Sequence, residues 1–268
     1  FEAYRIEVGK DTCRLLAADP EGARRALVFL EDEILRTGGP FLKLGTRERR
    51  PVIRTRITRC FFGPIKRPPM NRDELADEVD YYPDEYLNRL AHEGVNGLWL
   101  TVKFIDLCPS EFFPEFGIGR EKRLAKLRAT VKQCARYGIR IYPFCIEPQG
   151  FGHIPEYTHP TAWLEKHEYF RGNRGYFTNF CTSTPEGQRF LEDSTHYLFS
   201  QVPGLGGLIA INMGERPTNC YSETHHFFDN TCPRCSKRKP WEVLADTTAA
   251  FARGMKRASP DAEIISWL

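Results

Sequence analysis

The chain has no apolar stretch long enough to span a membrane, its hydrophobic residues being broken up by charges throughout. No secretory signal peptide is visible, although the first residue is Phe1 rather than Met, which leaves room for an upstream segment. A strong charge of either sign is also missing. Its 38 Lys and Arg against 35 Asp and Glu leave only +3, too little to imply a nucleic-acid partner. Basic residues are scattered apart from Arg47-Glu-Arg-Arg50 and Lys237-Arg-Lys239, and each of those reads as a solvated loop. No glycine-rich dinucleotide fingerprint follows any predicted strand. A disulfide framework is absent as well. The nine cysteines are an odd number, and several fall inside predicted strands or helices, which points to reduced thiols and a cytoplasmic location. Cys134 and Cys145 read as small apolar core residues.

What is present is globular. A chain of 268 residues suffices for one large domain, or for a small domain and part of a large one. Residues 1–48 read as a small α/β domain. Tyr4–Val8 alternates as a strand, Cys13–Ala17 is its hairpin partner, and Glu21–Leu35 has Ala26, Leu27, Leu30 and Ile34 at helical spacing. A polar, basic linker follows at Thr46–Arg50.

From residue 49 a strand–helix pattern repeats. Strands are expected at Ile57–Phe62, Gly97–Phe104, Ile139–Ile146, Leu208–Met213 and Ile264–Trp267. Helices are expected at Pro83–His92, Arg120–Tyr137, from Pro185 to about Ser200, and from about Trp241 to Ala258. Ser183-Thr-Pro-Glu186 reads as a capping box with proline in the first turn, so a helix starts there. Such alternation means a parallel sheet and an α/β fold class. Two architectures compete, an open doubly wound sheet and a (β/α)8 TIM-type barrel. The missing fingerprint weakens the first. The expectation is therefore residues 49–268 as the N-terminal portion of a barrel, with about its first five strands present.

In a barrel the strand C-termini converge on one face, where active sites lie. Gly207-Leu-Ile-Ala-Ile-Asn-Met-Gly-Glu215 reads as a buried strand delivering one carboxylate, Glu215, to that end. The bland alternative is a loop glutamate paired with Arg216. Asn212 ends the same strand, Glu147 follows the third, and Lys103 and Asp106 end the second. Arg54, Arg56 and Arg59 lie in or before the first.

With these motifs in this order, the chain resembles the family 20 glycoside hydrolases, the β-N-acetylhexosaminidases. Glu147-Pro-Gln-Gly-Phe-Gly-His153 is similar to that family's Asp-x-Pro-Gly-His loop with an insertion, and Met213-Gly-Glu215 stands where the family has Gly-Asp-Glu. The resemblance implies that Glu215 is the general acid/base, protonating a departing glycosidic oxygen from an apolar site that raises its pKa. It also implies that His153 supports Glu215. An arginine of the first strand, Arg56 by first choice and otherwise Arg54 or Arg59, would bind sugar hydroxyls. Lys103 is a further candidate substrate contact, and Glu147 would either hold His153 or contact substrate. Trp267 is the stacking candidate, and Trp99 reads as core.

One departure stands out. The family's Asp, which polarises the substrate's 2-acetamido group as internal nucleophile, is replaced by Gly214. Asn212, on the same face as Gly214 in a regular strand, is the candidate substitute. Other readings are a retaining glycosidase with its nucleophile beyond residue 268, and an inactive carbohydrate-binding barrel.

After Glu215 come Cys220, Cys232 and Cys235, the last two in Thr231-Cys-Pro-Arg-Cys235, with the tight spacing of a zinc knuckle. A fourth ligand would be His225, His226 or Cys181. Such a zinc would be structural, with no cofactor required for catalysis. Free thiols, or a disulfide from Cys220, are the alternatives, and a zinc-dependent hydrolase is a weaker one. The expected partner is a carbohydrate substrate, with no nucleic acid and no membrane span. Oligomeric state is not legible.

Overall fold

The computed structural model describes residues 1–59, 72–156, 158–214, 216–222 and 230–267. The first unit comprises β1 (Tyr4–Val8), β2 (Cys13–Ala17), α1 (Pro20–Thr37) and β3 (Gly45–Arg49). β1 is central, antiparallel to both β2 and β3. The α1 helix starts where Asp19 accepts a 2.7 Å bond from the Gly22 amide, with Pro20 in the first turn, and ends at left-handed Gly38. The expected basic linker at Thr46–Arg50 is instead almost all β3. Its alternating charges pair across the ladder, Glu48 opposite Arg5, which is how an edge strand carries charge without a core.

The second unit opens with β4 (Ile57–Arg59), α2 (Asp84–His92), β5 (Gly97–Val102), the short α3 (Phe104–Leu107), α4 (Arg120–Ala135) and β6 (Arg140–Cys145). After a small excursion, β7 (Gly150–Phe151), β8 (Thr158–His159), β9 (Arg171–Arg174) and β10 (Thr178–Phe180), it resumes with α5 (Pro185–Gln201), β11 (Gly207–Ile211), α6 (Pro240–Ala258) and β12 (Glu263–Trp267). One parallel sheet runs β12-β11-β6-β5-β4. These are the five expected strands, the first seen over 57–59 because Cys60–Phe62 lie outside the described residues.

Alternation sorts the side chains into two layers. Leu98, Leu100, Val102, Ile141, Cys145, Leu208 and Ala210 pack under the helices with Leu124, Leu127, Leu191 and Phe251. Ile57, Trp99, Tyr142, Phe144, Ile209, Ile211 and Ile265 line the opposite face. The excursion after β6 forms its own sheet, ordered β8-β7-β10-β9, over an aromatic cluster in which Phe151 stacks on Phe180 and His159 on Trp163. Strands this short leave no period to read, so the sequence suggests only a loop there. Among the described residues, no helix is long and apolar enough to cross a membrane.

The two units are joined by a buried ionic cluster. Glu2, 2% exposed, pairs with Arg25 at 3.4 Å and with Arg56, and accepts from the Asn96 amide at 3.0 Å. Arg25 donates onward to the Ala91 and Val95 carbonyls, both at 2.8 Å, tying α1 to the end of α2. Removing one partner of a buried charge set costs about 3 kcal/mol or more, because the remaining charges stay buried. Glu2→Gln should therefore lower unfolding stability by about 3 kcal/mol in urea titration. A loss below about 0.5 kcal/mol, the range of ordinary surface changes, would show that the cluster does not hold the units together.

Candidate active site

The concave face of the parallel sheet carries an aromatic floor near the strand C-termini. Trp99 of β5 packs on Phe144 of β6 at 4.3 Å and on Trp267 of β12 at 6.4 Å, and Phe144 meets Trp267 edge-on at 5.7 Å. The Arg59 guanidinium lies over Trp99 at 5.2 Å, a cation–π contact. Trp267 is half exposed, so one aromatic surface of this floor is open. Trp99, read from sequence as core alone, belongs to the same floor as Trp267.

Register decides among the strand-one arginines. Ile57 and Arg59 share a face by alternation, and that face is the concave one. Arg56, the first choice from sequence, sits before the strand at its N-terminal end. It is spent on the Gly94 carbonyl at 2.6 Å, the Ile53 carbonyl at 2.7 Å, and Glu2. Arg56 thus belongs to the junction between the units, at the end of the strand remote from the aromatic floor. Arg59 is the arginine facing that floor.

Asn212 also departs from its expected place. Its side chain is fully buried and turned to the helix layer, where the amide nitrogen donates to Thr248 of α6 and Ser266 of β12, both at 2.9 Å. It therefore does not face the concave side. Gly214 has φ +125°, a conformation that an L side chain rarely adopts. An aspartate could not stand there without a change of loop backbone.

Glu215 lies outside the described residues, but the chain on either side of it is tightly held. The Asn212 carbonyl accepts from the Asn219 amide and from Ser222 at 3.3 Å. Thr218 and Ser222 hydroxyls meet at 2.8 Å, and the Asn179 amide donates to the Asn219 and Ser222 carbonyls at 2.5 and 3.2 Å. Pro217 packs directly on Gly150 of β7, where an added Cβ would come within 2.8 Å of it. The loop after β11 is thereby pressed onto the first residues of the loop after β6.

That second loop begins with Glu147, whose side chain is buried. It accepts from the Phe104 amide at 2.9 Å and the Gln149 amide at 3.2 Å. Burial pushes its carboxyl up to about 7, against the opposing pull of those amides and of Lys103. Glu147 shares the parity of Cys145, on the helix side, so it clamps the ends of β5 and β6. Lys103 donates to the Glu156 carbonyl at 3.0 Å, which Gln149 also reaches at 3.4 Å. His153 is exposed, its Nε2 3.4 Å from the Tyr176 hydroxyl.

Glu74 was not singled out from sequence, where it is one of several acids in a polar stretch. It is buried beside Thr101, accepts from Tyr82 at 2.6 Å, and is pushed up to about 7 by burial, with Arg59 among the opposing charges. It lines a small cavity of about 70 Å³ together with Thr101, Lys103 and Asp106.

Beyond the aromatic floor, four cysteines converge. Cys181, at the end of β10, joins Cys220, Cys232 and Cys235, their sulfurs all within 4.8 Å of one another and all buried. His225 and His226, the other candidates for a fourth ligand, lie outside the described residues.

No family model matches the chain, and no curated protein matches it in sequence. Solved structures do match in fold. One is a GH138 enzyme targeting pectin rhamnogalacturonan II, with TM-score 0.60 and 15% identity over 96% of this chain and 28% of that one. A β-N-acetylhexosaminidase matches with TM-score 0.57 and 18% identity over 100% of this chain and 58% of that one. The β-N-acetylhexosaminidase of Bacteroides fragilis NCTC 9343 matches with TM-score 0.58 and 15% identity, covering 99% and 52%. The fold is thus shared with glycoside hydrolases, the family 20 β-N-acetylhexosaminidases among them. The chain spans 28% to 58% of the length of these three structures.

The buried Glu147 carboxyl makes stability depend on pH. Between its ordinary value of 4.5 and about 7, the folded protein keeps a proton that the unfolded chain releases, so stability falls as pH rises through that window. Glu147→Gln removes this dependence. The variant should be less stable than the parent at pH 4, and the gap should narrow by about 3 kcal/mol by pH 8 in urea titrations. His159, held neutral down to about 3 by burial, acts in the opposite direction and cancels in the difference. A gap that does not change with pH would contradict this reading of Glu147.

Proposed function

We propose that the chain carries the N-terminal portion of a (β/α)8 glycosidase barrel cleaving a β-linked sugar, with Glu215 as general acid/base. The observation that supports this most is the loop after β11. It leaves the C-terminal end of a parallel strand, is held by hydrogen bonds from Asn212 to Ser222, and packs on the loop after β6. In barrel enzymes the loops after the strands' C-terminal ends carry the catalytic groups, which is the ground for assigning the role to Glu215.

Proton donation to the leaving oxygen is the work such a carboxyl does, and it is worth about 10²–10⁴ in rate. In this reading a pyranose ring lies against Trp267 and Trp99, and Arg59, in place of Arg56, binds sugar hydroxyls. Lys103 and His153 stand at the rim, and Glu147 sets the ends of β5 and β6.

The identity of the nucleophile divides two readings. An N-acetylhexosamine substrate would supply its own acetamido oxygen. A substrate without that group needs a second carboxylate. The outward turn of Asn212 and the backbone of Gly214 favour the second route, since among residues 212–214 no side chain faces the sugar to polarise an amide.

Turnover of a panel of glycosides in both anomers tests the proposal. Glu215→Gln should lower kcat on substrates with poor leaving groups by about 10²–10⁴. The loss should be far smaller on nitrophenyl glycosides, whose leaving group needs no proton. Inhibition by a thiazoline analogue of the cyclised acetamido intermediate would assign the substrate-assisted route, and turnover without such inhibition would assign the carboxylate route. A folded protein that binds sugar but turns over no member of the panel would replace the enzyme with a carbohydrate-binding barrel.

A further inference from the structure

We infer that Cys181, Cys220, Cys232 and Cys235 are the four ligands of one structural Zn²⁺ ion. The spacing of the sulfurs carries this. Zinc–thiolate bonds of about 2.3 Å place the corners of a tetrahedron about 3.8 Å apart. Cys181 Sγ lies 3.8 Å from Cys232 Sγ and 3.9 Å from Cys235 Sγ. A disulfide needs about 2.05 Å, and all four cysteines are free. Four convergent sulfurs at ion-sized separation, buried together with Tyr221 and Val243, form a closed S4 donor set.

The surroundings are built for a tetrathiolate. Around Zn²⁺ four thiolates carry a net charge of −2. The Arg234 side chain donates to the Cys181 sulfur at 3.3 Å while its other nitrogen holds the Arg171 carbonyl at 2.6 Å. Arg238 donates to Ser183 at 3.1 Å, and Ser183 lies 3.3 Å from the Cys235 sulfur. Two guanidinium groups thus stand in the outer layer, where charge and hydrogen bonds tune a metal's ligands. The knuckle is a closed turn, with Ser236 donating to the Cys232 carbonyl at 2.9 Å and the Tyr221 hydroxyl within 2.8 Å of the Cys235 carbonyl.

The ligands come from three places, the end of β10, the loop after β11 and the segment before α6. One ion would therefore fasten the far side of the Glu215 loop to the second sheet and to the start of α6. A closed set of four thiolates leaves no open position for water or substrate, so this zinc is a clamp and not a catalyst. The inference stands on the sulfur geometry and does not depend on the glycosidase reading.

The test is metal analysis of the full chain purified from zinc-supplemented culture. About one zinc per chain is expected, released as the thiols are titrated with an organomercurial. Exchange with Co²⁺ should give the strong visible bands and sulfur-to-metal charge transfer of a tetrahedral S4 site. Cys232→Ser can prevent folding altogether, so Arg234→Gln is the informative variant. It keeps all four sulfurs and should weaken zinc binding by about 10-fold in chelator competition. A folded protein with under about a tenth of a zinc per chain and all four thiols freely titratable would overturn the inference. Iron at full occupancy in place of zinc would overturn the identity of the ion.

Discussion

A parallel sheet has to bury both of its faces, and everything that positions the candidate site follows from how this one does so. The helix side is closed by α4, α5 and α6 over aliphatic side chains such as Leu100, Leu208 and Ala210. The other side is closed by the sheet's own large residues, Tyr142 and Ile209 below, Trp99 and Phe144 above. Trp267 completes that layer yet keeps half of its surface open. The same alternation sends Arg59 to the concave side and Asn212 to the helices. A one-residue difference in strand register would exchange these roles, which is why register and not composition defines the site.

The loops add the second constraint. Loops after β6 and β11 leave neighbouring strand ends and are pressed together at Gly150 and Pro217. Glu147 fixes the start of one by taking two backbone amides, and the carbonyl of Asn212 fixes the start of the other. At the opposite end of the sheet, Arg25 and Arg56 converge on Glu2 and seat the small antiparallel unit. The strand ends thus divide the work, one end holding the units together and the other carrying the candidate chemistry.

Much of this was legible in the sequence, and the failures have physical causes. β5, β6 and β11 announce themselves as apolar runs preceded by glycine, and the alternation with amphipathic helices marks β4 and β12. β3 hides because an edge strand can be almost wholly charged, and the second sheet hides because strands of two to four residues show no period. That Arg59 and not Arg56 faces the concave side is hidden in the sequence, because a segment rich in arginine gives no apolar stripe to set the register. The direction of Asn212 is hidden for the reverse reason. Leu-Ile-Ala-Ile is apolar on both faces, so nothing in it says which face looks inward. Cys181 stood in sequence as one of several options for a fourth sulfur or nitrogen, far from Cys220 along the chain, and only the sheet topology brings the two together. That position 214 carries no side chain is plain from the sequence, but its backbone conformation, φ +125°, is visible only in the structure.

The central claim is that the concave aromatic floor is the sugar-binding surface. The chain has four tryptophans, and their placement makes a direct test. Trp99 and Trp267 lie on the floor, Trp163 stacks on His159 beneath the second sheet, and Trp241 is exposed on α6. Indole N–H signals in a ¹⁵N NMR titration with glycans of β-linked sugars, acetamido and plain, should move for Trp99 and Trp267 and stay fixed for Trp163 and Trp241. Movement of Trp241 or Trp163 alone, or no movement with any glycan, would contradict the account.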